Sequence, residues 1–171
     1  ALGYSMNTEN EDEIQAAYEW LLEMNNTMEP VYVTDEVIDG MANGNKDIAV
    51  MYSGDAAYVL DTNEDMSYWM PTEGTNLWSD AMVIPASAEN PALAHEFINF
   101  MLDDENALSN TEEVGYTSTV KSAFEEMKNG TYEGISSYIP QIDNPKNEIF
   151  GYQKPKIKQK FAELWTKVKA K

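Results

Sequence analysis

Aromatic residues stand beside acidic ones at several places in the sequence, an arrangement that suits a cation. Trp78 is followed two residues later by Asp80, and on an extended segment both side chains face the same side. Tyr52 ends an apolar run, and Tyr116 follows a glycine in a predicted loop. An ammonium group between a ring and a carboxylate gains about 0.5–2 kcal/mol from the ring and about 1.5–3 kcal/mol from the charged hydrogen bond. These residues indicate a candidate cation site, with ordinary core packing of each ring as the alternative.

Other chemistry finds little support in the sequence. Asp61–Asp65 matches the first half of a calcium loop, but Met66 stands where glycine is required and Thr72 where a bidentate glutamate is required. There is no cysteine, a single histidine (His95), and no glycine-rich phosphate loop. Ser53 lacks the flanking glycines of a hydrolase nucleophile. We therefore predict no cofactor, no metal site and no catalytic residue.

The charge of the chain excludes one class of partner. Its 171 residues include 11 lysines, no arginine and 30 acidic residues, for a formal net charge of −19. Such a surface repels nucleic acid, which proteins hold largely through Lys and Arg. Residues 1–140 carry 27 acids against 3 lysines, or −24, while residues 141–171 carry 3 acids against 8 lysines, or +5. This asymmetry fits either a solvated acidic surface with one basic C-terminal helix or an acidic cleft for a cation.

Helices and strands alternate along the chain in the hydrophobic pattern. Asn10 and Asn90 are predicted helix caps, and the helix after Asn90 is predicted to bury an apolar face that includes Phe97. The predicted helices cover residues 11–24, 34–42, 91–103, 105–113, 118–128 and 155–170, and the predicted strands are Ile48–Tyr52, Tyr68–Met70 and Ala81–Ile84. This alternation predicts an α/β fold with a mostly parallel sheet flanked by helices. Tyr52 would then lie at the carboxyl end of a strand, where ligands of such folds collect.

Four segments in succession resemble one known family. They run from Asp47 to Ala57, from Met70 to Pro85, from Ala94 to Leu102 and from Glu113 to Thr119. Their order and spacing are similar to those of the substrate-binding proteins of bacterial spermidine/putrescine ABC transporters. The most specific part is the block P-x-E-G, W-x-D and I-P between residues 71 and 85.

This resemblance implies a fold, a function and a set of site residues. The fold would be of the type II periplasmic-binding-protein kind, an α/β protein whose two lobes close on a polyamine without catalysing a reaction. Its partners would be the permease subunits of an importer, and its location extracytoplasmic, either periplasmic or anchored at the cell surface. By position, Trp78 corresponds to a wall aromatic, Asp80 to an ammonium-binding carboxylate and Tyr116 to a ring that lines the slot. Tyr52 stands where many relatives carry Trp, and Gln153 corresponds to a distal amide contact.

The chain departs from this family in length. The family protein is about twice as long, so we expect a fragment in which residues 1–79 and 125–171 belong to the second lobe and residues 80–124 to the first. We expect weak or no polyamine binding from the fragment alone, and dimerisation or strand exchange as a way to cover unpaired strands. Two alternatives stay open: a type II binding protein for another small solute, and a hydrolase that uses paired carboxylates.

Overall fold

A computed structural model describes residues 1–170, which contain seven helices and two short strands. No helix within these residues combines the length and the apolar composition that a membrane crossing requires. In chain order the elements are α1 (Glu11–Met28), α2 (Glu36–Ala42), α3 (Ser53–Thr62), β1 (Asn76–Leu77), α4 (Pro91–Met101), α5 (Asp104–Val114), α6 (Lys121–Asn129), β2 (Glu148–Ile149) and α7 (Pro155–Lys169).

The chain divides into two compact units. Unit 1 comprises Ala1–Val33, Met70–Trp78 and the residues from Ile142 onward, and it holds α1, β1, β2 and α7. Unit 2 comprises Thr34–Trp69 and Ser79–Gln141, and it holds α2 to α6. Each unit therefore gathers segments that are distant in the sequence.

In unit 1, α1 packs against α7 through apolar faces. Ile14 of α1 and Val168 of α7 are almost fully buried, as expected of residues on the inward stripe of an amphipathic helix. The predicted cap of α1 is confirmed, because the Asn10 side chain accepts a hydrogen bond of 2.9 Å from the Asp12 amide. The helix ends at Met28, four residues beyond the predicted end, where Glu29 adopts a left-handed conformation.

The lysines at the start of α7 pair with acids near the start of α1. Lys154 lies 2.5 Å from a carboxylate oxygen of Glu9, and Lys156 and Lys160 lie 2.7 and 3.2 Å from Glu11. Ion pairs between side chains as exposed as these contribute little to stability, because solvent screens the charges. The basic C-terminal segment thus complements acidic residues of its own unit, which accounts for part of the charge asymmetry.

Unit 1 also contains the two strands, which pair in parallel. Asn76 is opposite Glu148, and Leu77 is opposite Ile149. A glycine at position 74 permits this approach, because a Cβ there would lie 2.3 Å from the Lys146 carbonyl oxygen and because its φ is +98°. The pairing is parallel as predicted, but at residues other than those predicted.

The predicted strands at Ile48–Tyr52, Tyr68–Met70 and Ala81–Ile84 do not form. Ile48 and Val50 are exposed, and Tyr52 is the N-cap of α3. An isolated extended segment has no ladder of hydrogen bonds to stabilise it, so an apolar run becomes a strand only where a partner pairs with it. The helix α3 that follows was not predicted.

The core of unit 2 is built around one tyrosine. Tyr138 is fully buried with Ala57, Met127 and Tyr132. Its ring lies 4.9 Å from that of Tyr132 and is stacked 5.9 Å from that of Phe124, measured between centroids. The cluster joins α3 and α6 to the turns that follow α6.

Helix α4 begins as predicted but does not bury the predicted face. The Asn90 side chain accepts a 3.1 Å hydrogen bond from the Leu93 amide, and Pro91 occupies the first helical position. However, α4 has no buried residue, and Phe97 is 57% exposed. The prediction of a buried Phe97 is therefore wrong for this chain, although the helix itself is confirmed.

Candidate ligand-binding site

Two of the predicted site residues lie beyond the carboxyl ends of the paired strands in unit 1. Trp78 directly follows β1, and Gln153 lies in the segment between β2 and α7. Because β1 and β2 are parallel, both residues come after the same edge of the sheet. This is the edge at which α/β proteins hold their ligands.

In unit 2, the start of α3 carries a tyrosine and an aspartate. Tyr52 is the N-cap residue and is exposed, and Asp55 lies in the first turn and is half-buried. Burial raises the pKa of the Asp55 carboxyl, and the charge of Asp35 raises it further. A helix N-terminus by itself favours the ionised carboxylate, so burial and the neighbouring charge outweigh the helix here. Asp55 is thus a carboxylate that would gain from a cationic neighbour.

Tyr116 follows the end of α5 in a segment that is tied to the core of unit 2. The helix ends at Gly115, whose φ of +70° gives the left-handed stop. The Thr111 hydroxyl donates to the Tyr116 carbonyl oxygen and also lies 3.2 Å from the Tyr138 hydroxyl. On the other side of Tyr116, the Thr117 hydroxyl donates to the Tyr138 carbonyl oxygen. The backbone of Tyr116 is therefore fixed from both sides by the buried Tyr138.

The phenol of Tyr116 lies in a field of negative charge. Burial is the largest cause that raises the pKa of Tyr116, followed by the charge of Asp55, with smaller contributions from Tyr52, Asp80 and Asp35. Together they raise the pKa of Tyr116 to about 12. Three carboxylates of unit 2 therefore exert their charge on one phenol, and Asp55 does so most strongly.

The five predicted site residues fall into two groups in the structure, one in each unit. In unit 2, Asp80 and Tyr52 both lie close enough to Tyr116 to raise its pKa, whereas Trp78 and Gln153 belong to unit 1. That these five residues bind a ligand stays a prediction. Across residues 1–170, no group of three or more Asp, Glu or His side chains is arranged to hold a metal ion.

Two carboxylates whose charges act on Tyr116 are not among the five predicted site residues. Asp55 was visible three residues after Tyr52, and a helical reading of Ser53–Thr62 would have placed both on the first turn. Asp35 precedes α2, and no sequence signal connects it with Tyr116, which is 81 positions away. Only the packing of α2 against α3 brings its charge near the site.

A comparison with protein families identifies the chain. The profile described as bacterial extracellular solute-binding protein matches residues 1–135. The chain belongs to this family.

Relatives of this chain include proteins of polyamine transport. A Listeria monocytogenes structure, assigned provisionally to a spermidine/putrescine ABC transporter, is 38% identical, with a TM-score of 0.83 over 98% of this chain and 52% of that one. The spermidine/putrescine ABC transporter substrate-binding protein PotD of Streptococcus pneumoniae is 32% identical, with a TM-score of 0.76 over 99% of this chain and 52% of that one. The putrescine-binding periplasmic protein SpuD of Pseudomonas aeruginosa is 28% identical over 99% of this chain and 47% of its own length.

These comparisons confirm the predicted fold class and the predicted family. The chain has the fold of about one half of a two-lobed α/β protein, since it spans about half the length of the relatives it matches. The small parallel sheet of unit 1 is formed by β1 and β2, neither of which is one of the predicted strands.

Proposed function

We propose that this chain is part of the substrate-binding component of a polyamine ABC importer. In the intact protein it would hold spermidine or putrescine, a linear polycation, between aromatic faces and carboxylates. The names of the relatives support a polyamine as the ligand. The family supports the proposal that the intact protein is a binding protein that works outside the cytoplasm and is not an enzyme. The permease subunits of the transporter are the proposed protein partners.

The observation that carries this proposal is the set of carboxylates around Tyr116. The charges of Asp55, Asp80 and Asp35 all raise the pKa of its half-buried phenol, that of Asp55 most strongly. A protonated amine there would neutralise charges that otherwise repel one another, since like charges disfavour ionisation of their neighbours. Each charged hydrogen bond contributes about 1.5–3 kcal/mol and each ring contact about 0.5–2 kcal/mol. An anionic ligand would be repelled by the same carboxylates.

The arrangement of lobes in the intact protein is a proposal as well. By the resemblance, residues 1–79 and 125–171 would belong to one lobe and residues 80–124 to the other. The compact units group the chain differently, since Thr34–Trp69 and Ser79–Gln141 lie in one unit, which holds Tyr52, Asp80 and Tyr116 together. In the intact protein the two lobes would close around the ligand. Dimerisation or strand exchange through unpaired segments such as 48–50 is a further prediction for the chain by itself.

A titration of the intact protein with a panel of ligands tests the proposed function. We expect isothermal titration calorimetry to detect binding of spermidine or putrescine and no binding of maltose, glutamate or phosphate. The acidic surroundings of Tyr116 favour only the cations in this panel. Binding of a sugar or an anion without any polyamine binding would contradict the proposal.

The raised pKa of Asp55 predicts a pH dependence of binding. A polyamine stays protonated below neutrality, as amines with a pKa near about 10 do, whereas Asp55 accepts a proton at a higher pH than an ordinary aspartate. Affinity is therefore expected to fall as the pH is lowered through this raised pKa, and less steeply in Asp55→Asn.

The stability of the folded protein depends on the protonation of Asp55 in the opposite direction from the affinity. Its measurement therefore serves as the control. Because the folded state binds the Asp55 proton more tightly than the unfolded state, the contribution of Asp55 to the free energy of unfolding increases as the pH falls. Calorimetry and thermal melts at the same pH values separate the two effects. Identical pH profiles of affinity for the parent and Asp55→Asn would exclude Asp55 from the site.

A further inference from the structure

The ring of Tyr116 rests directly on the backbone of Gly54. A Cβ at position 54 would lie 2.7 Å from Cδ1, and 2.8 Å from both Cε1 and Cγ, of the Tyr116 ring. Gly54 is buried in the first turn of α3 and has no positive φ. The backbone conformation therefore accepts any residue, and only the space taken by the ring requires a glycine.

A second glycine contact brings the same two segments together. A Cβ at Gly115 would lie 2.7 Å from the Gly54 carbonyl oxygen. The C-terminal end of α5 thus approaches the N-terminal end of α3 with no side chain between the two backbones. Glycine at both positions is the usual means of such an approach.

The backbone of Tyr116 has little freedom to yield if a side chain is added at position 54. Thr111 and Thr117 hold it on either side, and both are bonded to the fully buried Tyr138. Ordinary contacts between carbon atoms lie at about 3.5–4.0 Å, so a Cβ at position 54 would displace the ring by about 1 Å. The ring would move and the chain would stay, since a side chain that turns about its own bonds yields more easily than an anchored backbone.

We propose that Gly54 is a positioning residue of the ligand site. The absence of a side chain at Gly54 fixes the position of the Tyr116 ring relative to Asp55 and Asp80. This inference rests on the proposed function and adds to it the reason why Tyr116 presents its ring at one place. Gly54 itself contacts no ligand and acts through the ring. A displacement of about 1 Å is enough to loosen a preorganised site.

The test is a double-mutant cycle in the intact protein with putrescine and spermidine as ligands. Gly54→Ala is expected to weaken binding by about 3- to 100-fold, the range that couplings between contacting residues span. In a Tyr116→Ala background the same substitution is expected to have no further effect, because the space of the ring is then empty. Gly40→Ala is the matched control: it adds a methyl group inside α2 of the same unit, where the nearest atom is Cγ of the flexible Lys46 side chain at 3.3 Å. Its affinity should equal that of the parent.

A ligand-free measurement distinguishes failure of this inference from failure of the proposed function. The ring resonances of Tyr116, assigned by comparison with Tyr116→Phe, are expected to shift in the NMR spectrum of Gly54→Ala and to stay in place in Gly40→Ala. Unshifted resonances, parent-like affinity of Gly54→Ala, or an equal loss in both backgrounds would each overturn the positioning role. If the parent bound no polyamine at all, the proposed function would fail, and the resonances would still decide whether Gly54 positions the ring.

Discussion

Polyamine binding by the intact protein is expected to weaken by about 10- to 150-fold when Asp80 is replaced by Asn, the factor that corresponds to a charged hydrogen bond of about 1.5–3 kcal/mol. The substitution keeps the shape of the side chain and removes its charge. Trp78→Ala is expected to weaken binding by about 2- to 30-fold, the factor for a ring contact of about 0.5–2 kcal/mol. Isothermal titration with spermidine and with putrescine measures both effects.

Each of these variants has a matched control within the chain. Asp65→Asn removes the same charge from an exposed position, and Trp69→Ala removes the same ring from a side chain that is 73% exposed. Neither residue belongs to the predicted site, so both controls should bind like the parent. The site assignment would be wrong if Asp80→Asn and Trp78→Ala also bound like the parent, or if the controls lost as much affinity as the site variants.

Helix starts could be predicted from the sequence because their signals are local. Asn10 and Asn90 act as caps through hydrogen bonds to amides two or three residues ahead, and Pro91 needs only its own ring to fit the first turn. Such interactions form within one segment, whatever the rest of the chain does. The structure therefore reproduces both starts.

Strands and buried faces could not be predicted in the same way, since both depend on distant partners. The apolar run at Ile48–Tyr52 has the composition of a buried strand, yet no segment within residues 1–170 pairs with it. Phe97 has the spacing of an inward-facing residue, yet nothing in the described part of the chain covers it well enough to bury it. The relatives are about twice as long, and an apolar pattern in this sequence can match contacts that the intact protein makes outside this stretch of chain.

The candidate site was predictable to the extent that its residues are neighbours in the sequence. The spacing of Trp78 and Asp80 is visible in any reading of the chain. By contrast, the proximity of Asp35 and Asp55 to Tyr116 arises from the packing of helices in unit 2. The formal net charge of −19 agrees with a cationic ligand but does not locate it, and the proposed location rests on the carboxylates whose charges act on Tyr116.

The core of unit 2 should respond more strongly to substitution than any exposed position. Tyr138→Ala is expected to lower the free energy of unfolding by about 3–5 kcal/mol, as large-to-small changes of buried aromatic residues do. Tyr138 is fully buried, its ring packs on Tyr132 and Phe124, and its hydroxyl lies 3.2 Å from that of Thr111. Urea unfolding followed by circular dichroism gives the change from the midpoint and slope.

Two further tyrosine variants separate the contribution of the Tyr138 hydroxyl from that of its buried ring. Tyr138→Phe keeps the ring and loses the hydroxyl, so its cost is expected to be about 0.5–1.5 kcal/mol, that of one hydrogen bond. Tyr58→Ala removes a ring that is 53% exposed on α3 and should change the free energy of unfolding by less than about 0.5 kcal/mol. A Tyr138→Ala protein as stable as Tyr58→Ala would show that the cluster around Tyr138 does not stabilise unit 2. Since Thr111 donates to the Tyr116 carbonyl oxygen and meets the Tyr138 hydroxyl, the cluster would then also fail to support the backbone at Tyr116.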